Sequence, residues 1–433
     1  MNKKVAVGIS GGVDSAVSAL LLKKAGYDVV GVHLYCWPPK SEVEKDGGTR
    51  EEWIKRNGCR ADEDRASALK TALDIGIPFK VLDFSEEYNS RVIKYFYDEY
   101  EVGRTPNPDV LCNSEIKFGL FLDWALGNGF DYIATGHYAR LEKVDKNGKI
   151  YTDSGLPQLD YEIRNDDVVK LMIPTDKHKD QTYFLWKLGQ KELSHVLFPL
   201  GDLVKTEVRE IAKEAKLSVA DKKDSQGICF VGNVEVREFL ARRLKVQKGK
   251  VMDTKGNVVG EHDGVWFYTI GQRGGWTWSS EGQKSVSKSM MRTGLPREYA
   301  RNDDRNEIAA SSTLRNDDKS GLGDVTPIYY VISKNAKENV LVVGEADEAA
   351  NDFFEITEIN EINGRRLPRR KLLAMTELYV RIRHGGELIG ARIGKSLDGF
   401  DVELTKQIRG IASGQSAVFY GANGECLGGG VIV

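Results

Sequence analysis

A glycine-rich segment near the start of the chain has the form of a phosphate-binding loop. It reads Gly8-Ile9-Ser10-Gly11-Gly12-Val13-Asp14-Ser15 and directly follows an apolar run at residues 5–7. A glycine-rich turn between a buried strand and a helix presents backbone N–H groups to an anion. The segment has no Gly-Lys-Ser/Thr ending, so it lacks the lysine that reaches the outer phosphates in a Walker A loop. These residues therefore predict a phosphate-binding loop that is not of the Walker A type.

A second segment combines a rigid backbone with a cysteine and an aspartate. Residues 104–114 read Arg-Thr-Pro-Asn-Pro-Asp-Val-Leu-Cys-Asn-Ser, where two prolines restrict the backbone and Asn113 or Ser114 can cap a following helix. Cys112 is then expected just ahead of a helix N-terminus, where partial positive charge favours the reactive thiolate. Asp109 is close enough in sequence to accept or donate a proton near the thiol. A buried cysteine in a turn fits the same local sequence equally well.

Another cysteine, Cys229, lies in a glycine-containing segment that reads Asp224-Ser225-Gln226-Gly227-Ile228-Cys229-Phe230. A cysteine can carry sulfur as a persulfide, and a second thiol can attack that carrier and close a disulfide. Replacing C=O by C=S needs two such thiols and an oxygen that has been made a leaving group, for example by attachment of AMP.

Five segments together resemble the tRNA-specific 2-thiouridylases. Ser-Gly-Gly-Val-Asp-Ser at 10–15 is similar to the PP-loop of enzymes that cleave ATP between its α and β phosphates. The others are Thr-Pro-Asn-Pro-Asp-Val-Leu-Cys-Asn at 105–113, Ala-Thr-Gly-His-Tyr at 134–138, Lys-Asp-Gln-Thr-Tyr-Phe-Leu at 179–185 and Asp-Ser-Gln-Gly-Ile-Cys-Phe at 224–230. The resemblance covers most of the chain outside two insertions.

This resemblance implies a sulfurtransferase that adds sulfur to the wobble uridine of tRNA with ATP and Mg²⁺. The uridine O2 would be adenylated, Cys229 would carry the persulfide, and Cys112 would be the nucleophile, with Asp109 beside it. A Cys112–Cys229 disulfide would remain after transfer. The sulfur would come from a donor protein, either a cysteine desulfurase or a sulfur-relay protein.

The same resemblance implies two sets of binding residues. ATP would be bound by Gly8, Ile9, Ser10, Gly11, Gly12, Val13, Asp14, Ser15, Leu34 and Gly136. The tRNA would contact Asn107, Pro108, Asp109, His137, Lys179, Asp180, Gln181, Arg383, His384 and Gln415, of which the first three would face the target base. The family often has methionine at the position of Leu34.

Three other functions fit parts of the pattern. A PP-loop enzyme that transfers nitrogen, such as a tRNA lysidine synthase or a GMP synthetase, would need no thiols. A catalytically silent tRNA-binding module would keep the loop and release no pyrophosphate. In a third alternative, Cys112 and Cys229 hold an iron-sulfur cluster and form no disulfide.

Alternating strands and helices are predicted to position these segments. Apolar β-branched runs predict strands over 5–9, 29–34, 79–84 and 132–135, and helical patterns predict helices over 15–25, 62–75, 88–100 and 115–126. This order is typical of a mostly parallel sheet with helices on both faces, which binds ligands at the carboxyl ends of its strands. The loop at 10–15 and residues 135–138 both follow such ends.

The predicted fold class is α/β, with a parallel-sheet PP-loop domain, similar to the adenine nucleotide alpha hydrolases, over 1–206. A small linking domain follows over 207–275, with helices at 208–216 and 235–244, and a C-terminal β-barrel over 276–433. Strands are predicted at 249–252, 265–270, 329–333, 340–343, 378–383 and 417–420. Polar, Asp-rich insertions at about 144–168 and 280–322 are predicted to be surface loops.

One predicted barrel strand has a face suited to RNA. Leu378, Val380 and Ile382 alternate with Tyr379, Arg381 and Arg383, so the first set would be buried. The second set would project an aromatic ring and two guanidinium groups toward phosphates and bases. A solvated strand face has the same pattern.

Composition sets outer bounds on the function. The chain has 433 residues, 41% of them hydrophobic and 29% charged, as in a globular protein of two or three domains. It shows no membrane-length apolar run and no targeting peptide ahead of the first strand, so we expect a bacterial, cytoplasmic protein. A net charge of −2 neither supports nor excludes RNA as a partner. The five scattered cysteines form no C-x-x-C pair, which argues against a disulfide framework or a zinc site.

Overall fold

The computed structural model describes residues 2–57, 60–147, 149–152, 167–223, 235–280, 282, 328–362 and 378–433. The chain forms two compact units. The larger unit combines Met1–Lys245 with Asn351–Val433, and the smaller unit is Val246–Ala350. The C-terminal residues therefore pack with the N-terminal domain, although more than a hundred residues separate them in sequence.

A five-stranded parallel sheet organises the N-terminal part of the larger unit. The strands up to residue 197 are β1 (Lys4–Gly8), β2 (Asp28–Tyr35), β3 (Phe79–Asp83), β4 (Tyr132–Ala134), β5 (Arg140–Val144), β6 (Ile150–Thr152), β7 (Val168–Met172) and β8 (Val196–Leu197). The parallel sheet has the order β3-β2-β1-β4-β8. Strand order reverses between β1 and β4, and such a switch point is where open α/β sheets bind ligands. The four strands predicted for this sheet are confirmed within one or two residues.

The larger unit also contains helices. They are α1 (Val13–Lys24), α2 (Lys40–Asp46), α3 (Arg50–Asn57), α4 (Ala61–Ile75), α5 (Ser85–Tyr88), α6 (Lys94–Glu101), α7 (Pro108–Leu111), α8 (Phe121–Gly127), α9 (Gln190–Leu193), α10 (Lys205–Glu214) and α11 (Val236–Ala241). The π-helical residues Asn89–Ile93 join α5 to α6, and Cys112–Leu120 join α7 to α8. A short 3₁₀ turn forms at Thr182–Phe184. No helix in the described part of the chain is long and apolar enough to cross a membrane.

The smaller unit contains a second sheet. Its strands are β9 (Gly249–Asp253), β10 (Val258–His262), β11 (Thr277–Trp278), β12 (Tyr330–Asn335) and β13 (Val340–Gly344), in the order β11-β10-β9-β13-β12. The strand predicted at 265–270 is wrong, because Val265–Phe267 form a 3₁₀ turn. Asn339 and His262 accept the N–H groups of Val265 and Gly264. The apolar residues of this stretch are buried by the turn and do not mark a sheet face.

The C-terminal residues form a closed six-stranded barrel, as predicted. Its strands are β14 (Ala350–Glu361), β15 (Leu378–Arg381), β16 (Ile389–Lys395), β17 (Phe400–Arg409), β18 (Ser416–Gly421) and β19 (Glu425–Ile432). They follow the order β14-β17-β16-β15-β18-β19, and β14 also pairs with β19 to close the ring. Alternate side chains such as Val380, Ile393, Val402 and Phe419 fill the interior.

Strands β5, β6 and β7 join this barrel and not the parallel sheet. β7 pairs antiparallel with β19, β5 pairs with β7, and β6 pairs with β5. Lys170 and Glu425 add an ion pair of 2.8 Å beside this junction. The surface loop predicted at 144–168 is therefore wrong where β6 lies, because strand pairing with the barrel orders a polar stretch. Residues 153–166 and nearly all of the second insertion lie outside the described residues.

A candidate nucleotide and thiol site

The phosphate-binding segment connects β1, the central strand, to α1. Gly11 has a φ of +82°, and a Cβ there would lie 2.5 Å from the backbone oxygen of Asp64. Ser15 Oγ donates to Gly12 O at 3.2 Å and accepts the N–H of Ser10 at 3.2 Å. Within the described chain, no side chain caps the first N–H groups of α1. The turn is therefore held by its own hydrogen bonds and leaves the N-terminus of α1 available to an anion.

The end of β4 lies against the first turn of α1. A Cβ on Gly136 would be 2.6 Å from the Ser15 nitrogen, so only glycine allows this approach. Ser18 Oγ donates to Thr135 O at 3.2 Å and ties the two segments together. Leu34 follows at the carboxyl end of β2 and is nearly fully buried. The residues expected around ATP therefore all lie at the carboxyl edge of the sheet.

Two lysines that no sequence spacing singles out reach this loop. Lys205 Nζ lies 2.7 and 2.8 Å from the two carboxylate oxygens of Asp14, and Tyr138 OH donates to one of them at 2.9 Å. Lys222 Nζ donates to Gly11 O at 2.9 Å and also pairs with the Asp64 carboxylate. Both lysines lie far along the chain from the loop, so no local motif connects them to it.

Cys112 lies inside a helix and not ahead of one. The helix begins at Pro108, because proline fits the first helical position, and Cys112 is its fifth residue with 0% exposure. The prediction that a helix begins near residue 115 and that Asn113 or Ser114 caps it is therefore wrong; Asn107 occupies the N-cap position. The helix dipole acts mainly on the first turn, so its effect on Cys112 is weaker than expected.

The segment that precedes Cys112 is held by the barrel. The Thr105 N–H donates to Ser413 O at 2.8 Å, and Gln415 Nε2 donates to Thr105 O at 2.9 Å. Tyr183 OH donates to Ser416 O at 3.0 Å, and its hydroxyl also hydrogen-bonds to the Asn107 side chain. The structure thus brings the 105–113, 179–185 and barrel segments together, all within the larger unit.

A buried ion pair fixes one of these contacts. Arg381 Nη1 lies 2.6 Å from Asp180 Oδ2, with side chains 9% and 2% exposed. Thr182 also donates to Asp180, through its N–H and its hydroxyl. The predicted alternation is confirmed for Leu378, Val380 and Ile382, which are buried, but Arg381 is also buried and does not project into solvent as predicted. At Arg381, this face of the strand packs against the 179–185 segment instead of facing solvent.

Other predicted tRNA residues differ in exposure. His384 and Arg383 are exposed, and the His384 ring lies 4.5 Å from that of Phe184. His137 is buried, with Nδ1 2.7 Å from Thr135 Oγ1, and burial lowers its pKa well below the usual range. Gln181 Oε1 accepts the N–H of Tyr138 at 2.9 Å. Lys179 is partly exposed, while Cys229 and its motif lie outside the described residues.

Comparisons with known proteins agree with this architecture. The family model described as tRNA methyl transferase HUP domain matches residues 3–233, and those described as its PRC-barrel domain and as an aminomethyltransferase beta-barrel domain match 237–289 and 360–432. A parallel sheet with a PP-loop after its central strand, followed by these two domains, places the chain in the class of PP-loop HUP-domain proteins.

Curated relatives narrow the class. The tRNA-specific 2-thiouridylase MnmA of Geobacillus thermodenitrificans is 37% identical over 99% of this chain and 94% of its own length. The protein of the same name from Pediococcus pentosaceus is 37% identical, and that from Streptococcus equi subsp. zooepidemicus is 38% identical, each over 99% of this chain and 94% of its own length. The chain belongs to the tRNA-specific 2-thiouridylase family.

Gly136→Ala is expected to weaken ATP binding because the added methyl group meets the Ser15 nitrogen at 2.6 Å. The contact pushes the loop away from β4, and restoring the loop to bind ATP costs about 1–3 kcal/mol, which corresponds to roughly 5- to 150-fold in affinity. Calorimetric titration with ATP measures the change. Gly127→Ala is the matched control, since a Cβ there meets nothing within 4 Å. Equal ATP affinity in Gly136→Ala and wild type would contradict a nucleotide site at this edge.

Proposed function

We propose that the protein is an ATP-dependent tRNA-uridine 2-sulfurtransferase that thiolates the wobble uridine. The observation that carries this proposal is the placement of the PP-loop and the Cys112 helix. The loop follows β1, the helix leads into β4, and β1 and β4 are neighbours in the sheet. A helix that connects parallel strands starts at their carboxyl edge. Cys112 is near the start of its helix, so it lies on the same side of the sheet as the loop. Phe121, on the same helix, packs beside Gly8: a Cβ built on Gly8 would lie 3.6 Å from the Phe121 ring.

The first half of the proposed reaction activates the uridine. Its O2 attacks the α-phosphorus of ATP, the bond from phosphorus to the bridging oxygen breaks, and pyrophosphate leaves with the electron pair. The uncapped N–H groups of α1 bind the phosphates. Mg²⁺ would compensate phosphate charge. The loop supplies one carboxylate, Asp14, which fits an ion bound mainly through phosphate oxygens and water.

The second half transfers sulfur. The terminal sulfur of a Cys229 persulfide attacks C2 of the adenylated uridine. Cys112 then attacks Sγ of Cys229, the S–S bond breaks, and its electron pair remains with the sulfur on C2 while AMP leaves. The products are 2-thiouridine and a Cys112–Cys229 disulfide, which an external dithiol must reduce. A cysteine desulfurase or sulfur-relay protein would reload Cys229.

The proposed tRNA surface lies where the barrel meets the N-terminal domain. Exposed Arg383 and His384, with Phe184 beside the latter, offer a charge and stacked rings to a single-stranded anticodon loop. Gln415 holds the Thr105 carbonyl and so fixes the loop proposed to meet the target base. Asp180 would act there through its ion pair with Arg381.

Mass spectrometry of nucleosides tests this function. Unmodified tRNA is incubated with the protein, ATP, a dithiol and a cysteine desulfurase that is supplied with cysteine as the persulfide source, then digested. We expect a 2-thiouridine peak that disappears without ATP or when the α,β-bridging oxygen of ATP is replaced by a methylene group. Modification by an amine donor with alkylated cysteines would instead indicate nitrogen transfer, and absence of pyrophosphate release would indicate a binding module.

A further inference from the structure

Lys205 occupies an unusual position for a lysine. It is the first residue of α10, and its ammonium contacts both carboxylate oxygens of Asp14, the second residue of α1. The ammonium therefore lies at the N-terminal turn of α1, beside the phosphate-binding loop. Its side chain is only 14% exposed, so its reach is limited to this edge of the sheet.

The ion pair is not what holds α10 in place. Val208 and Ala212 of α10 are fully buried in the same core as Ala16 and Val17 of α1, so apolar contacts dock the helix. A cation near a helix N-terminus also opposes the helix dipole. In the absence of an anionic ligand, Asp14 offsets that unfavourable placement.

Lys222, the other lysine at the loop, has a different role. Its ammonium donates to the backbone oxygen of Gly11 in the loop, and to Asp64 and, at 3.4 Å, Ser67 Oγ, which lie on α4 beside the loop. Lys205 is paired with a carboxylate of the loop itself. An ammonium is a compact charge on a flexible stem, so it can turn from Asp14 toward a bound phosphate without moving the backbone.

We propose that Lys205 binds the β- and γ-phosphates of ATP and neutralises the pyrophosphate as it leaves. It thereby supplies, from residue 205, the cation that a Walker A loop carries within its own sequence. This inference rests on the proposed adenylation. As uridine O2 attacks the α-phosphorus, the electron pair of the broken bond goes to the bridging oxygen. Lys205 remains an ammonium throughout and stabilises that developing charge without transferring a proton.

Titration calorimetry with ATP, pyrophosphate and AMP tests this role in the full chain. Lys205→Met is expected to weaken ATP and pyrophosphate binding by at least about tenfold, as for the loss of a charged hydrogen bond. AMP, which lacks the outer phosphates, should bind within twofold of wild type. Lys213→Met is the matched control, since Lys213 lies on the same helix with its side chain 62% exposed. It should leave all three affinities unchanged.

The possible outcomes separate this role from the general proposal. Wild-type affinities for ATP and pyrophosphate in Lys205→Met would overturn the role of Lys205 and leave adenylation standing. An equal loss of AMP affinity would also overturn it, because the lysine would then act only on loop shape. If the wild type bound neither ATP nor pyrophosphate, both proposals would fail. If Lys205→Met does not fold, as judged by circular dichroism, the ratio of pyrophosphate affinity to AMP affinity is compared between Lys205→Arg and Lys205→Gln. A lower ratio in Lys205→Gln supports the role of Lys205, and equal ratios overturn it.

Discussion

Cys112→Ser and Cys229→Ser are each expected to abolish 2-thiouridine formation while tRNA and ATP binding stay within about twofold of wild type. A hydroxyl at residue 112 cannot displace the sulfur carrier, and a hydroxyl at residue 229 cannot carry a persulfide. Nucleoside mass spectrometry gives the activity, and filter binding with labelled tRNA gives the affinity. Pyrophosphate release in the first minute should persist in both variants, because adenylation precedes the thiol steps.

A third cysteine provides the control. Cys426 lies in β19, fully buried in the barrel, and burial raises the pKa of its thiol, so it stays protonated and unreactive. Cys426→Ala should therefore retain thiolation. Full activity in Cys112→Ser or in Cys229→Ser would rule out the two-thiol scheme. An anaerobic absorbance band that disappears in both variants would point to an iron-sulfur cluster in place of a disulfide cycle.

Arg381→Met should destabilise the larger unit strongly. Removing one partner of a buried ion pair leaves an uncompensated charge and costs about 3–5 kcal/mol. Here the remaining charge is the Asp180 carboxylate, whose side chain is 2% exposed. We expect a marked fall in the melting temperature, measured by differential scanning fluorimetry. The Thr182 hydrogen bonds to Asp180 are not enough to replace the guanidinium.

Two further variants separate the ion pair from a general effect of charge on the barrel. Arg392 is exposed on β16, so Arg392→Met should change the melting temperature little. Adding Asp180→Asn to Arg381→Met removes the buried charge and should recover part of the lost stability. A melting temperature for Arg381→Met equal to that of Arg392→Met would show that the pair does not stabilise the contact between the barrel and the 179–185 segment.

Much of the N-terminal domain is predictable from local sequence. The run at 5–7 is apolar on both faces, as the central strand of a parallel sheet must be, and Gly11 is needed where φ is positive. Two local predictions failed, one for a reason within the same segment and one for a reason that lies elsewhere in the chain. Pro108 starts the helix earlier than capping residues suggested, and Val265–Phe267 form a turn in which the distant Asn339 side chain accepts the N–H of Val265.

The barrel strands also combine features that local sequence predicts with features that depend on distant segments. The alternation at 378–382 correctly marks the buried face of β15, since period-two burial is a local property. The other face carries Arg381, and its environment depends on the 179–185 segment, which packs there. Strand β6 appears in sequence only as part of a polar insertion, because its order comes from pairing with β5, which is joined through β7 to β19.

The sequence by itself determined the class of chemistry. The PP-loop, the two cysteine segments and the order of strands and helices are local patterns, each complete within about ten to thirty residues. Only the tertiary structure decided which lysines lie at the loop and which residues hold the Cys112 segment. Lys205 and Asp14 are 191 residues apart, and Arg381 and Asp180 are 201 apart. Such contacts arise when separately encoded elements pack together, so neither residue of a pair carries a local sign of its partner.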